Sequence, residues 1–163
     1  MKPSAIIAAM LIAGGNVATA AIPQTPAETE KMNAFVGGLL KKMTLEEKLG
    51  QLNLPAGGDL STGDPLGKDI VQLAASGQIG GTFNIKGAEK FHSLQKAAVE
   101  KTRLGIPLLF GMDVIHGYET IFPIPLGLSC SWDLDAIERS AQIAAREATA
   151  GGVNWTFSPM VDI

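Results

Sequence analysis

The chain has 163 residues, 46% of them hydrophobic and 18% charged, a balance that fits a globular protein and excludes a disordered one. Its formal net charge of −3 leaves no basic footprint for nucleic acid, and its single cysteine, Cys130, excludes an internal disulfide. The 19 glycines and 9 prolines point to many loops and tight turns.

Residues 1–20 read as an address and not as part of the fold. Met1 and Lys2 give a short positive start, and an apolar run follows over 5–13. Gly14, Gly15 and Asn16 interrupt it, and Ala18-Thr19-Ala20 supplies a small-residue cleavage site with the cut expected before Ala21. This is the three-part pattern of a secretory signal peptide. A bilayer span takes about 20 apolar residues, so this run is too short for a membrane anchor. No later stretch is long and apolar enough for one, so the remainder, 21–163, is expected in the periplasm or outside the cell.

In the remainder, Ile22-Pro23-Gln24-Thr25-Pro26 reads as an extended lead-in. The spacing of Met32, Phe35, Val36, Leu39 and Leu40 predicts a helix over 28–43. Thr44 and Glu47 make a capping box for a second, short helix ending near Leu52. Residues 55–67 are rich in Gly, Asp, Ser and Pro and read as a surface loop. A helix over 69–76 stops at Gly77, and 79–83 fits a short buried strand. Residues 86–102 form an amphipathic helix with Ala88, Phe91, Leu94, Ala98 and Val99 on one side, and a second apolar strand starts at Leu108. After a Gly- and Pro-rich loop, Asp133 caps a third long helix whose expected buried stripe is Ile137, Ala141, Ala144, Ala145 and Ala148. Gly151 and Gly152 close it, and 153–157 reads as another strand. Apolar strands alternating with helices imply a parallel sheet, in an open doubly wound form or a (β/α)8 barrel. No dinucleotide or phosphate-binding glycine motif follows any strand.

In both architectures ligands sit at the carboxyl ends of the strands. Asp113 stands there, in Gly111-Met112-Asp113-Val114-Ile115-His116-Gly117. A carboxylate at such a place can accept hydrogen bonds from two neighbouring sugar hydroxyls, and charged acceptors make the stronger bonds; a helix cap or a carboxylate satisfied by nearby amides is the plainer alternative. His116 reads as a supporting residue that orients the loop, bonds to Asp113 or lines the pocket. A metal site has little support, since His92 and His116 match no usual ligand spacing. Glu119 and Asp162 are further acids near strand exits, and Asp113 with Asp162 is the one pair worth testing against the two-carboxyl geometry of glycosidases. Cys130 with a histidine base would be a nucleophile, but a small buried residue is the preferred reading. Trp132 and Trp155 are expected to pack structurally and not to serve as sugar platforms.

These residues also resemble a family. The stretches 43–52, 77–81, 103–117 and 120–127, with Ser131-Trp132-Asp133, Ala145-Arg146-Glu147 and 157–163, are similar in order and spacing to the N-terminal catalytic domain of glycoside hydrolase family 3, in its periplasmic β-glucosidase branch. The resemblance implies an α/β fold, the N-terminal part of a (β/α)8 (TIM-like) barrel followed by an α/β sandwich domain. It implies retaining hydrolysis of a β-glucoside or short β-glucan oligosaccharide, with no cofactor. Asp113 matches the family aspartate that binds the hydroxyls of the released sugar, and His116 matches the histidine of the same motif. The family's nucleophile and acid/base residue fall beyond Ile163, so no catalytic residue is assigned here and the Asp113–Asp162 pair is set aside. Val114-Ile115-His116-Gly117 argues against the N-acetylhexosaminidase branch. A (β/α)8 barrel takes about 250 residues, so the chain is expected to be a piece of one, unstable and inactive alone. The competing expectations are a secreted sugar-binding protein without chemistry, and a family member acting on xylosides or an exported glucan.

Overall fold

The computed structural model describes residues 25–57 and 70–160. The signal-peptide reading, most of the 55–67 loop, Asp69 and Asp162 lie outside the described residues. The chain divides into two compact units, Met1–Leu39 and Leu40–Ile163.

Helix α1 (Pro26–Lys42) starts two residues earlier than its apolar spacing suggests. The cause is a second reciprocal cap. The Thr25 amide donates to Glu28 Oε2 at 2.8 Å, and the Glu28 amide donates back to Thr25 Oγ1 at 3.3 Å. Pro26 then takes the first helical position, where its missing N–H costs nothing. None of the residues of α1 is buried.

In the second unit, α2 (Leu45–Gln51) begins at the expected box: Glu47 N donates to Thr44 Oγ1 at 3.2 Å and Thr44 N to Glu47 Oε2 at 2.9 Å. The same carboxylate takes two bonds from Arg103, at 3.0 and 2.6 Å, and Arg103 also donates to the Lys42 carbonyl at 2.7 Å. Arg103 holds the Glu47 carboxyl below the usual range, with the Thr44 amide adding to the effect. The loop before the second strand is thereby tied to the start of α2.

Then follow α3 (Ile70–Ala75), β1 (Gly81–Phe83), α4 (Ala88–Lys101), β2 (Leu109–Met112), α5 (Pro125–Ser129), α6 (Leu134–Ala150) and β3 (Trp155–Thr156). The strands form one parallel sheet in the order β1-β2-β3, with Gly81 opposite Leu109, Phe83 opposite Gly111, and Gly111 opposite Trp155. Residues 53–57, of which 55–57 read from sequence as the start of a loop, run alongside the outer edge of β1. Phe83 N donates to Pro55 O at 2.9 Å, Gly57 N to Phe83 O at 2.6 Å, and the buried Thr82 hydroxyl to Pro55 O at 3.0 Å. Just upstream, Gly80 and Gly50 let the end of α2 lie against the turn that enters β1. A Cβ on Gly80 would overlap the Gln51 carbonyl oxygen, and one on Gly50 would overlap that of Gly77.

One face of the sheet carries the core. Phe110 packs edge-on against Phe91 of α4 at 4.8 Å, and Leu94, Ala98, Leu73, Met112, Tyr118 and Ala148 join the same buried cluster. The row that alternates with it faces the other way: Leu109 is 51% exposed and Trp155 39%. Helices on one face suit a sheet that curls into a barrel, whereas a doubly wound sheet covers both.

Three packing expectations are corrected. Cys130 is exposed, because it caps α5, a short helix with no buried residue. Trp132 is 91% exposed and does not pack as expected, whereas Trp155, 39% exposed, does pack, against Phe157 at 4.7 Å. In α6 the buried residues are Ser140, Ala144 and Ala148, while Ala141 and Ala145 are exposed; that stripe borders an open groove instead of a packed neighbour.

Candidate functional site

The unusual backbone is concentrated where the strands end. Asn84, one residue past β1, has φ 57° and is buried, and its amide donates to the Gly111 carbonyl at 3.1 Å. Val114, two residues past β2, has φ 43°. Asparagine tolerates the left-handed region; a β-branched residue there is an outlier and persists only where its surroundings enforce it. The Ser158–Pro159 bond past β3 is cis.

Asp113 lies between the last residue of the central strand and that left-handed turn. It is half-buried, and its carboxylate makes no hydrogen bond with a described residue. The helix-cap alternative therefore has no counterpart here, and the cap of α6 belongs to Asp133, which accepts from Ala136 N at 2.9 Å. The backbone of Asp113 is held: its carbonyl accepts from Thr156 Oγ1 at 3.2 Å. Thr156 Oγ1 in turn lies 2.8 Å from Ser158 Oγ and accepts from the Ser158 amide at 3.2 Å. Beside this point Phe157 stacks edge-on with Phe83 at 5.2 Å and tilts against Trp155 at 4.7 Å. Gly111 leaves room for the Phe157 ring, since a Cβ there would come within 3.0 Å of it.

His116 makes no hydrogen bond to Asp113. Its carbonyl accepts from Phe122 N at 2.8 Å, and its Nδ1 is buried without a partner. Its side chain lines a groove of about 570 Å³ between the small-residue stripe of α6, Phe122, Leu128 and the exit of β3, a groove that Asp113 does not line. Gly117 makes the turn after it: φ is 116°, and a Cβ would overlap the Thr120 carbonyl oxygen.

Glu119 is exposed and is held by its backbone. Glu147 of α6 accepts from the amides of Glu119 and Thr120, at 3.0 and 2.8 Å, and from the Thr120 hydroxyl at 2.6 Å. These bonds, led by the Thr120 hydroxyl, keep the Glu147 carboxyl below its ordinary value. Glu147 thus secures the loop that follows Asp113, a role carried only by three-dimensional proximity. Burial raises the Tyr118 phenol, and the charge of Glu119 adds to it. Among the described residues no group of three or more His, Cys, Asp or Glu is placed to hold a metal ion, and no described helix is long and apolar enough to cross a membrane.

Residues 44–163 match the model of the glycosyl hydrolase family 3 N terminal domain. The chain belongs to that family. It is 42% identical over 142 residues to a periplasmic β-glucosidase of Salmonella typhimurium, covering 86% of this chain and 18% of that protein. Among solved structures it is similar to a β-glucosidase from Listeria innocua in complex with isofagomine, with a TM-score of 0.70 and 39% identity over 80% of this chain and 18% of that one. A mutant of the same enzyme in complex with laminaribiose matches with a TM-score of 0.66 and 36% identity, over 79% of this chain and 19% of that one. The chain therefore spans under a fifth of the length of these relatives. Membership settles the architecture between the two that the element order left open: the parallel strands are part of the family's TIM-like barrel.

Proposed function

We propose that the protein containing this chain is an exported, retaining β-glucosidase that releases glucose from the non-reducing ends of β-glucosides or short β-glucans. In this reading Asp113 grips two hydroxyls of the glucose that will be released, and His116 supports the loop around it. The observation that carries it is a half-buried carboxylate at the carboxyl end of the central strand, with no described partner and next to a left-handed valine. An acceptor left unsatisfied at a strand exit is suited to a polyhydroxylated ligand, because each charged hydrogen bond contributes about 1.5–3 kcal/mol.

The relatives support the sugar. One is named for β-glucosidase activity in the periplasm, and another is seen with laminaribiose. A retaining enzyme needs two carboxyl groups about 5–5.5 Å apart; this reading assigns that pair, a nucleophile and an acid/base residue, to segments outside this sequence. Residues 1–20 act as the signal peptide, cut before Ala21, and 21–163 belong to the barrel domain. The reading calls for no cofactor.

The test uses a full-length enzyme carrying these residues, assayed with an aryl β-glucoside. With two charged hydrogen bonds removed, Asp113→Ala should lower kcat/KM by about 10²–10⁴-fold. Near-normal kinetics would remove Asp113 from the sugar site. Mass spectrometry of the exported protein should place its first residue at Ala21.

A further inference from the structure

We infer that Thr156 and Ser158 form a hydroxyl relay that positions Asp113, so that the sugar-binding carboxylate of β2 is set by the exit of β3. The inference rests on the assignment of Asp113 to the sugar and extends it to two residues with no previous role.

The hydrogen-bond inventory fixes the direction of the relay. A threonine hydroxyl has one proton to donate and two lone pairs to accept with. Thr156 Oγ1 meets three partners: the Asp113 carbonyl at 3.2 Å, the Ser158 hydroxyl at 2.8 Å and the Ser158 amide at 3.2 Å. A carbonyl oxygen only accepts, so the Thr156 proton goes to Asp113. An amide only donates, so it takes one lone pair. The Ser158 hydroxyl must then donate to the other. The order is Ser158 Oγ–H to Thr156 Oγ1–H to Asp113 O=C, with every site on Thr156 used.

What the relay holds is the peptide group between Asp113 and Val114. On its far side the chain enters the left-handed region at Val114, φ 43°, which a β-branched residue leaves unless held. Further along, Glu147 holds the amides of Glu119 and Thr120. The stretch from Asp113 to Thr120 is thus secured from β3 at its start and from α6 at its end. If the Thr156 hydroxyl is lost, the Asp113–Val114 peptide is free to rotate toward an ordinary conformation, and the Asp113 carboxylate turns with it. Thr156 and Ser158 touch neither reacting atom nor sugar in this account; they are positioning residues.

The test is a double-mutant cycle in the full-length enzyme, reading kcat/KM on an aryl β-glucoside, the inhibition constant of glucose and the melting temperature. Thr156→Val keeps the shape and removes the hydroxyl. It should lower kcat/KM and weaken glucose inhibition by about tenfold each, about the worth of one hydrogen bond. Thr156→Ser, which keeps the hydroxyl, should restore most of both. In an Asp113→Ala background, Thr156→Val should have no further effect on kcat/KM while still shifting the melting temperature by the same amount as in wild type. Multiplicative losses in kcat/KM, or a silent Thr156→Val where Asp113→Ala is crippled, would overturn the relay and leave the sugar assignment standing. A nearly normal Asp113→Ala enzyme would overturn the sugar assignment, and the relay with it.

Discussion

The two ends of this sheet are built on opposite terms. At the amino end, where chains enter the strands, polar groups are matched and backbones touch. Glu47 closes a capping box and grips Arg103 with the same carboxylate, and Gly50 and Gly80 let α2 lie directly on the turn before β1. At the carboxyl end, Asp113 has no described side-chain partner, His116 Nδ1 is buried without one, and Asn84 and Val114 sit in left-handed conformations. One end is arranged for stability. The other keeps unpartnered polar groups and strained backbone, which the folded frame must hold in place.

Substitutions at the two ends should separate these roles in a full-length enzyme. The largest effect falls on activity: Asp113→Ala should abolish most turnover with little change in melting temperature. A drop in stability matching that at the amino end would break the contrast. Next comes Gly50→Ala. Its new methyl would overlap the Gly77 backbone carbonyl, and crowding of this kind costs about 1–3 kcal/mol. Thermal unfolding should register it, while kcat per folded molecule stays as in wild type.

Smaller effects depend on pH and salt. The Glu47 carboxyl is lowered chiefly by Arg103. A group depressed by folding stabilises fully above its unfolded value, about 4.5 here, and loses that contribution as the pH falls through its lower folded value. Urea unfolding between neutral pH and about pH 3 should therefore be less acid-sensitive in Glu47→Gln than in wild type. An unchanged slope would mean that the box and the arginine do not depend on the charge. Smallest of all, Arg103→Lys replaces a two-pronged contact by a point charge. It should lower the melting temperature slightly, and the difference should shrink in high salt, because the arginine side chain is 56% exposed.

What could be read from sequence follows the same division. The capping box at Thr44, the Asp133 cap and the parallel strands rest on local signals, and they appear at or within a few residues of their expected places. Thr25 and Glu28 carried the same signal as Thr44 and Glu47, so the true start of α1 was legible too. Pro125 at the first position of α5 was a comparable cue inside a stretch read as loop. By contrast, nothing local marks 53–57 as strand-like, because its pairing runs through backbone atoms of a segment rich in turn residues. Nor does any spacing reveal that Thr156 reaches Asp113 or that Glu147 reaches Thr120. These contacts join distant parts of the chain and exist only after the helices have packed. The left-handed Val114 is the extreme case, since its residue type argues against the conformation it adopts.

The strip at 53–57 has one more consequence. By occupying the outer rail of β1 with Pro55 and Gly57, it leaves no open row of donors and acceptors there for a foreign strand to zip onto. Proline in that strip has no amide proton to offer a newcomer. On this flank, cross-chain fibril growth would first have to peel away a segment already hydrogen-bonded to β1 and the turn before it.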